Sequence, residues 1–294
     1  MAARNQSDSE EKKSTRRERV LLSFALVLVF LLGIGVRLVD LQDPPLDFHA
    51  VRQLRSALIS RSIYYNQSRD YSLDQKQTAA ELASLEVYEP PILETIVASI
   101  YLVIGAEKLW ISRVLLSLFW AAGGLAIWLI MRRVTGNLAA LCSLGVYFFL
   151  PFSVIASRSF QPEPFMVMWI ILFVLVIDRW TEKQNWQLTL LAGLVAGVAV
   201  IVKVVAALYI LPVLGCIGLF RIGLYKSLGS IKLWIITAAA LLPSLIYYGV
   251  FQTERSGSFM SFWSTAFSWM LLTSNYYADW LAMVKGLTGL FLFT

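Results

Sequence analysis

The sequence is poor in the residues from which soluble enzymes usually build their sites. Among 294 residues there are one histidine and two cysteines, and only 15% carry charge. A soluble domain of this size carries about 25% charged residues, so a soluble globular fold is excluded on composition. Both cysteines, Cys142 and Cys216, fall inside apolar runs, so neither a disulfide framework nor a zinc site is expected. No ligand cluster is apparent, so no cofactor is implied, although a divalent metal stays open. The net charge of +6 is spread over short loops between apolar runs. That distribution points to membrane orientation and away from nucleic acid.

What remains is hydrocarbon. The chain is 58% hydrophobic with a mean hydropathy of +0.67, and its 13% aromatics include ten tryptophans, which collect at bilayer interfaces. An all-α, polytopic transmembrane bundle is expected, with about seven spans plus part of an eighth. Residues 1–19 (ending in STRRER) read as a disordered cytoplasmic tail, which places the N-terminus inside. Val20–Val39 has the length of a first span, and Arg37 near its outer end can snorkel to the interface. An external loop over 40–110 follows, with Gln67–Ala83 polar and exposed. Within it Val51, Leu54, Leu58 and Ile59 share one helical face of an interfacial helix, with Arg52, Arg55 and Arg61 mostly off that face. The dibasic Arg132–Arg133 turn should be cytoplasmic, so only one crossing fits between it and the loop. Trp110–Met131 supplies that crossing, and Pro91–Gly105 is therefore expected to lie in the outer interface.

Leu138–Ala156 then runs outward, Ser157–Glu163 forms a short external loop, and Pro164–Ile177 returns. Leu188–Phe220 would make roughly 50 Å of helix against a core of about 30 Å, so it must be two spans with a break. Lys203, the one charge in that run, would cost about 2.5–3.5 kcal/mol at the centre of a span. The break should therefore bring it to the outer surface or a polar cavity. Leu233–Val250 goes outward into a second external loop over 251–280. Leu281–Thr294 is too short to cross, which suggests a truncated bundle over 20–294.

The candidate chemistry lies in the external loops. Asp40, Asp43, Asp47 and His49 cluster after the first span, beside the Pro44–Pro45 pair. Any one of these acids can be a solvated loop charge; as a cluster pressed against the membrane they form a candidate site, with Asp47 nearest the interfacial helix. His49 can pack or cap, or serve as the base instead. Glu89 and Glu94 flank Pro90–Pro91, where acids also suit the start of a helix. Arg158 and Glu163, in SRSFQPEP, and Lys203 open to the same side. Such a cavity suits a phosphorylated substrate.

The order of features is informative. One span, an acidic loop, the PPILE run ending in Gly105, Arg113 in a span, the MRRVTG turn, SRSFQPEP and a Gly-rich span into Lys203 follow one another. Over most of Val20–Val250 this order resembles the membrane glycosyltransferases of the GT-C fold, in the protein mannosyltransferase and aminoarabinose transferase branch. The resemblance implies an enzyme that takes a sugar from a polyprenyl-phosphate donor on the outer or lumenal side of a membrane, the plasma membrane in a prokaryote. The acceptor, a lipid, glycan or protein, is not specified. Relatives usually carry an acidic pair before an Arg-containing helix; here the text is DFHAVRQ, which aligns either Asp47 or His49 with the first acid. Many relatives carry Asp where this chain has Glu163. The implied roles are Asp47 or His49 as base and Glu163 as orienting partner. Arg52, Arg158 and Lys203 would contact the phosphate, with Glu89 and Glu94 as further substrate contacts. A secondary transporter and a non-catalytic membrane relative are the competing readings; a transporter should show paired repeats, and no repeat of fixed period is evident.

Overall fold

The computed structural model describes residues 2–84, 89–251 and 268–288, with side chains from residue 17 onward except at 251, 268, 271, 287 and 288. Among the described residues the elements are all helical. Helix α1 (Ala2–Gly35) closes in a 3-10 turn at Val36–Leu38. Its backbone is helical back through the polar stretch read above as a tail. Glu, Lys and Arg are good helix formers and extend a helix that the apolar run has already nucleated.

Three short helices follow the first span: α2 (Ala50–Gln67), α3 (Leu73–Ser84) and α4 (Ile92–Ile104), the last closed by Gly105 at φ 73°. Helix α3 occupies the stretch read as simply polar and exposed, and buries Ala79 and Ala83. Helix α2 packs against both α3 and α4.

The membrane bundle then runs through α5 (Trp110–Thr135), α6 (Asn137–Phe149), α7 (Pro151–Arg158), α8 (Pro162–Lys183) and α9 (Trp186–Val202). It continues through α10 (Ala207–Cys216), a π-helical turn at Ile217–Ile222, α11 (Leu224–Leu228) and α12 (Ile231–Phe251). A last helix, α13, covers Ser274–Thr288.

Among the described residues, five helical segments are long and apolar enough to cross a membrane, or six if the bent pair α6–α7 is one span. The described residues do not confirm the expected count of seven and part of an eighth. Helix α9 stands where the fifth span was expected, but its 17 residues, roughly 26 Å, fall short of a full crossing. Leu138–Ala156 is not one straight span: the chain bends by 61° between α6 and α7, where Pro151 starts a new helix. The break inside Leu188–Phe220 falls at Lys203, whose extended backbone caps α9 before a 3-10 turn at Val204–Ala206. Helix α13 straddles the boundary expected at residue 280 and is not among the candidate spans. Most of the expected loop over 251–280, and residues 289–294, lie outside the described residues.

Helix α9 packs against both α8 and α12. Gly193 and Gly197, one turn apart on α9, let the backbone of α12 approach: a Cβ at Gly193 would lie 2.9 Å from the Ala239 Cβ, and one at Gly197 would lie 2.5 Å from the Ala239 carbonyl oxygen. Where lipid tails are as apolar as leucine, close backbone approach over small residues is what holds helices together. Gly197→Leu should therefore force α9 from α12 and lower stability by about 1–3 kcal/mol. Gly145→Ala, with open space at its Cβ, should leave the thermal midpoint in detergent unchanged.

Candidate functional site

One end of the bundle gathers the end of α1, the starts of α5 and α8, the end of α7 and the break after α9. Helix α2 and the Asp40–His49 segment lie across it. The side of α2 turned inward is polar: Gln53, Ser56 and Ser60 are fully buried, whereas Val51 is 72% and Leu54 42% exposed. The apolar residues read as one face thus point mostly outward, as an interfacial helix against lipid would direct them; Ile59 is the exception and is buried.

Asp47 is the centre of a first cluster. Its Oδ2 accepts from Arg158 Nε (3.3 Å) and Nη2 (3.1 Å), and its Oδ1 from Gln53 Nε2 (3.1 Å) and Arg113 Nη2 (3.5 Å). Arg113, 3% exposed within the first turn of α5, also donates to the Asp40 (2.7 Å) and Pro44 (3.2 Å) carbonyls. The loop is therefore wrapped around a guanidinium. Burial works to raise the Asp47 carboxyl, but the Gln53 hydrogen bond and the Arg113 and Arg158 charges together hold it below the usual carboxylate range. His49 sits in the left-handed region at φ 46°, with its ring edge-on to Phe48 at 4.4 Å. It is the N-cap of α2, and its carbonyl accepts from the Arg52 and Gln53 amides.

Glu163 is the centre of a second cluster. Its Oε1 pairs with Arg52 and accepts from Lys203 Nζ at 2.8 Å. Lys203 Nζ also reaches Glu89 Oε1 at 2.8 Å, and Glu89 Oε2 lies 3.4 Å from Arg55 Nη2. The Glu163 Oε2 is buried without a hydrogen-bond partner. Glu94 stands behind this cluster, packed between α2 and α4: its Oε1 accepts from Ser56 Oγ at 2.7 Å and its carbonyl from Ser60 Oγ at 3.1 Å. Burial pushes its carboxyl above the usual range against the Ser56 hydrogen bond. Adjacent residues of α2 join the two clusters, since Arg52 serves Glu163 and Gln53 serves Asp47.

The structure thus brings Asp47, Arg52, Glu89, Arg158, Glu163 and Lys203 to one end of the bundle, places Glu94 just behind them and leaves His49 at the start of α2. Several partners were not singled out as site residues. Arg113 could have been, since a charge inside a span is a functional hypothesis by default. Gln53 carried no such signal; it holds Asp47, the Phe48 carbonyl (2.6 Å) and the Phe160 amide (3.0 Å) at once. Arg37 does not snorkel. It is fully buried, donating to Gly33 O (2.5 Å) of its own helix and to Ser157 Oγ (2.6 Å) and Ser153 O (3.4 Å), which α7 brings within reach. Nor is the Ser157–Glu163 loop open: Ser157, Ser159, Phe160 and Gln161 are buried beneath the first loop. Among the described residues no three His, Cys, Asp or Glu side chains group to hold a metal ion.

The sequence profile of the family described as dolichyl-phosphate-mannose-protein mannosyltransferase matches residues 88–248, more than half of the chain. The match takes in Glu89, Glu94, Arg113, Arg158, Glu163 and Lys203, whereas Asp47, His49 and Arg52 precede it. No curated protein and no solved structure matches the chain.

Two opposite pH dependences follow. Asp47 has a folded pKa below its unfolded value of about 3.9, so its contribution is present above that pH and is lost as pH falls through the folded value. Asp47→Asn should destabilise the protein at neutral pH, and the difference from wild type should close on acidification below about pH 4. Glu94 is the reverse: with its folded pKa raised, its burial costs stability once the pH exceeds the unfolded value of about 4.3. Glu94→Gln should match or exceed wild-type stability at neutral pH, with any gain vanishing in acid, as thermal melts across pH would register.

Proposed function

Because the chain belongs to the dolichyl-phosphate-mannose-protein mannosyltransferase family, we propose that it transfers a sugar from a polyprenyl-phosphate donor to an acceptor hydroxyl at the membrane face where the two clusters meet. The observation that carries this reading is the Asp47 carboxylate, one third exposed and held by Arg113 and Arg158, on a helix and loop shared with the Glu163–Lys203–Arg52 cluster. The reaction forms a bond from the acceptor oxygen to the anomeric carbon and breaks the bond from that carbon to the phosphate oxygen. The electron pair leaves with the polyprenyl phosphate, and the acceptor proton must go to a base.

Asp47 is the proposed base, in preference to His49. Held below the ordinary carboxylate range, it stays ionised at any working pH and is a weak base. It therefore accepts the proton late, once bond formation has acidified the hydroxyl, and orients the nucleophile before that. The departing phosphate, whose second pKa is about 6, gains more from fixed positive charge than from a proton donor. Lys203, Arg52 and Arg158 are the proposed sources of that charge, each now engaged with a carboxylate. Glu163 orients Lys203 and Arg52, and its partnerless Oε2 suits a sugar hydroxyl. The expected setting is a multi-pass protein whose site faces the outer or lumenal side.

In membranes supplied with lipid-linked sugar, Asp47→Asn should slow release of polyprenyl phosphate by about 10²–10⁴-fold, the range of a lost general base. Lys203→Met should also slow release. A wild-type rate in Asp47→Asn would remove the base assignment, and loss in His49→Ala alone would move it to His49. Solute flux in proteoliposomes without sugar turnover would favour a transporter instead.

A further inference from the structure

At the end of the bundle opposite the candidate site, α10, the π-helical turn, α11 and α12 enclose a groove of about 370 Å³. Its floor and walls are apolar, including Leu211, Leu214, Leu219, Leu228 and Trp234. The π-helical turn widens the end of α10, and Gly223 at φ 91° turns the chain into α11. Gly218 lets Ser227 close in, where a Cβ would meet Ser227 at 3.3 Å. Trp234 is held in the wall by its Nε1 donating to the Leu228 carbonyl at 2.9 Å.

The charge around the groove is of one sign. Arg221 lies between Leu219 and Leu224 of the lining, and Lys226 lies between Leu224 and Ser227. No Asp or Glu occurs between Glu182 and Glu254. Among the described residues neither Arg221 nor Lys226 has an ion-pair partner, whereas Arg133 at the same end is paired with Asp178 and Glu182. Lys232, at the foot of α12, is held by the Gln184 carbonyl and lies 5.3 Å from the Trp186 ring centre. An apolar cleft bordering hydrocarbon takes a lipid tail. Arg221 and Lys226, both exposed and set in sequence between lining residues, favour a tail that bears an anionic head.

We propose that this groove holds an anionic phospholipid from the leaflet opposite the candidate site. An acyl chain lies against Leu211, Leu214 and Thr237, the phosphate lies against Arg221 and Lys226, and the Trp234 ring sits at the headgroup boundary. The ligand is a constitutive lipid of the bilayer, bound at the far end of the protein from the sugar chemistry, so the proposal stands whether or not the chain is a transferase.

The test is native mass spectrometry of the full chain released from bilayers containing equal phosphatidylglycerol and phosphatidylcholine. Wild type should retain phosphatidylglycerol in preference. Arg221→Gln with Lys226→Gln should weaken that retention about thirtyfold, the effect of two surface cations on an anionic lipid. Gly215→Leu, whose Cβ meets nothing within 4 Å and points no bulk at its neighbours, should fold, keep both cations and still lose the lipid by filling the groove. Arg132→Gln, at the same membrane face on α5, should leave retention unchanged. Equal retention of the two lipids by wild type, or wild-type retention in both groove variants, would overturn the proposal. So would equal loss in Arg132→Gln, or a second copy of the chain in place of lipid.

Discussion

A charge buried at the edge of hydrocarbon must find polar partners within the protein, and most of the candidate site's architecture follows from that constraint. Lys203 interrupts a run of apolar residues that could otherwise have continued as helix. The chain breaks there and delivers the ammonium to Glu163 and Glu89. Arg113, almost wholly buried at the start of its span, collects three loop carbonyls and Asp47 instead of water. Removing one partner of such a pair is more costly than the pair's net worth, because the other charge is left buried. The loop after the first span is thereby tied to α5 and α7, and α2 is tied to α8 and α9.

The same constraint explains why α2 is inside-out by the standard of a soluble protein. Its inward side carries Gln53, Ser56 and Ser60, which satisfy Asp47, Glu94 and the backbone of the Ser157–Glu163 loop. Its outward side carries Val51 and Leu54. In water this helix would expose apolar surface and bury polar surface for no gain. Against a bilayer both choices are favourable, since lipid accepts the leucine and the polar groups find partners inside. The two ends of the bundle differ accordingly. At one end cations and carboxylates are interleaved into a network with an unused carboxylate oxygen. At the other, Arg133 is satisfied by α8 while the segment between α10 and α12 carries cations without acids.

The sequence by itself determined the class of the molecule and most of the charged residues that gather at one end of its bundle. Apolar runs near bilayer length, scarce charge and basic turns leave little alternative to a helical membrane bundle, because no other arrangement satisfies so much backbone in lipid. The break at Lys203 was legible for the same energetic reason. So were Asp47, Arg52, Arg158 and Glu163, since polar residues bordering spans are few enough to stand out. Only the tertiary structure decided how these groups pair. Lys203 joins Glu89 and Glu163 across gaps that no periodicity encodes, and Gln53 holds Asp47 from the buried side of a helix whose arginines drew attention first. The burial of Arg37, the bend before Pro151 and the closing of the Ser157–Glu163 loop likewise depend on neighbours distant in sequence. Hydropathy reports whether a residue can leave water; which partner it meets afterwards is set by packing, and packing is a property of the folded chain.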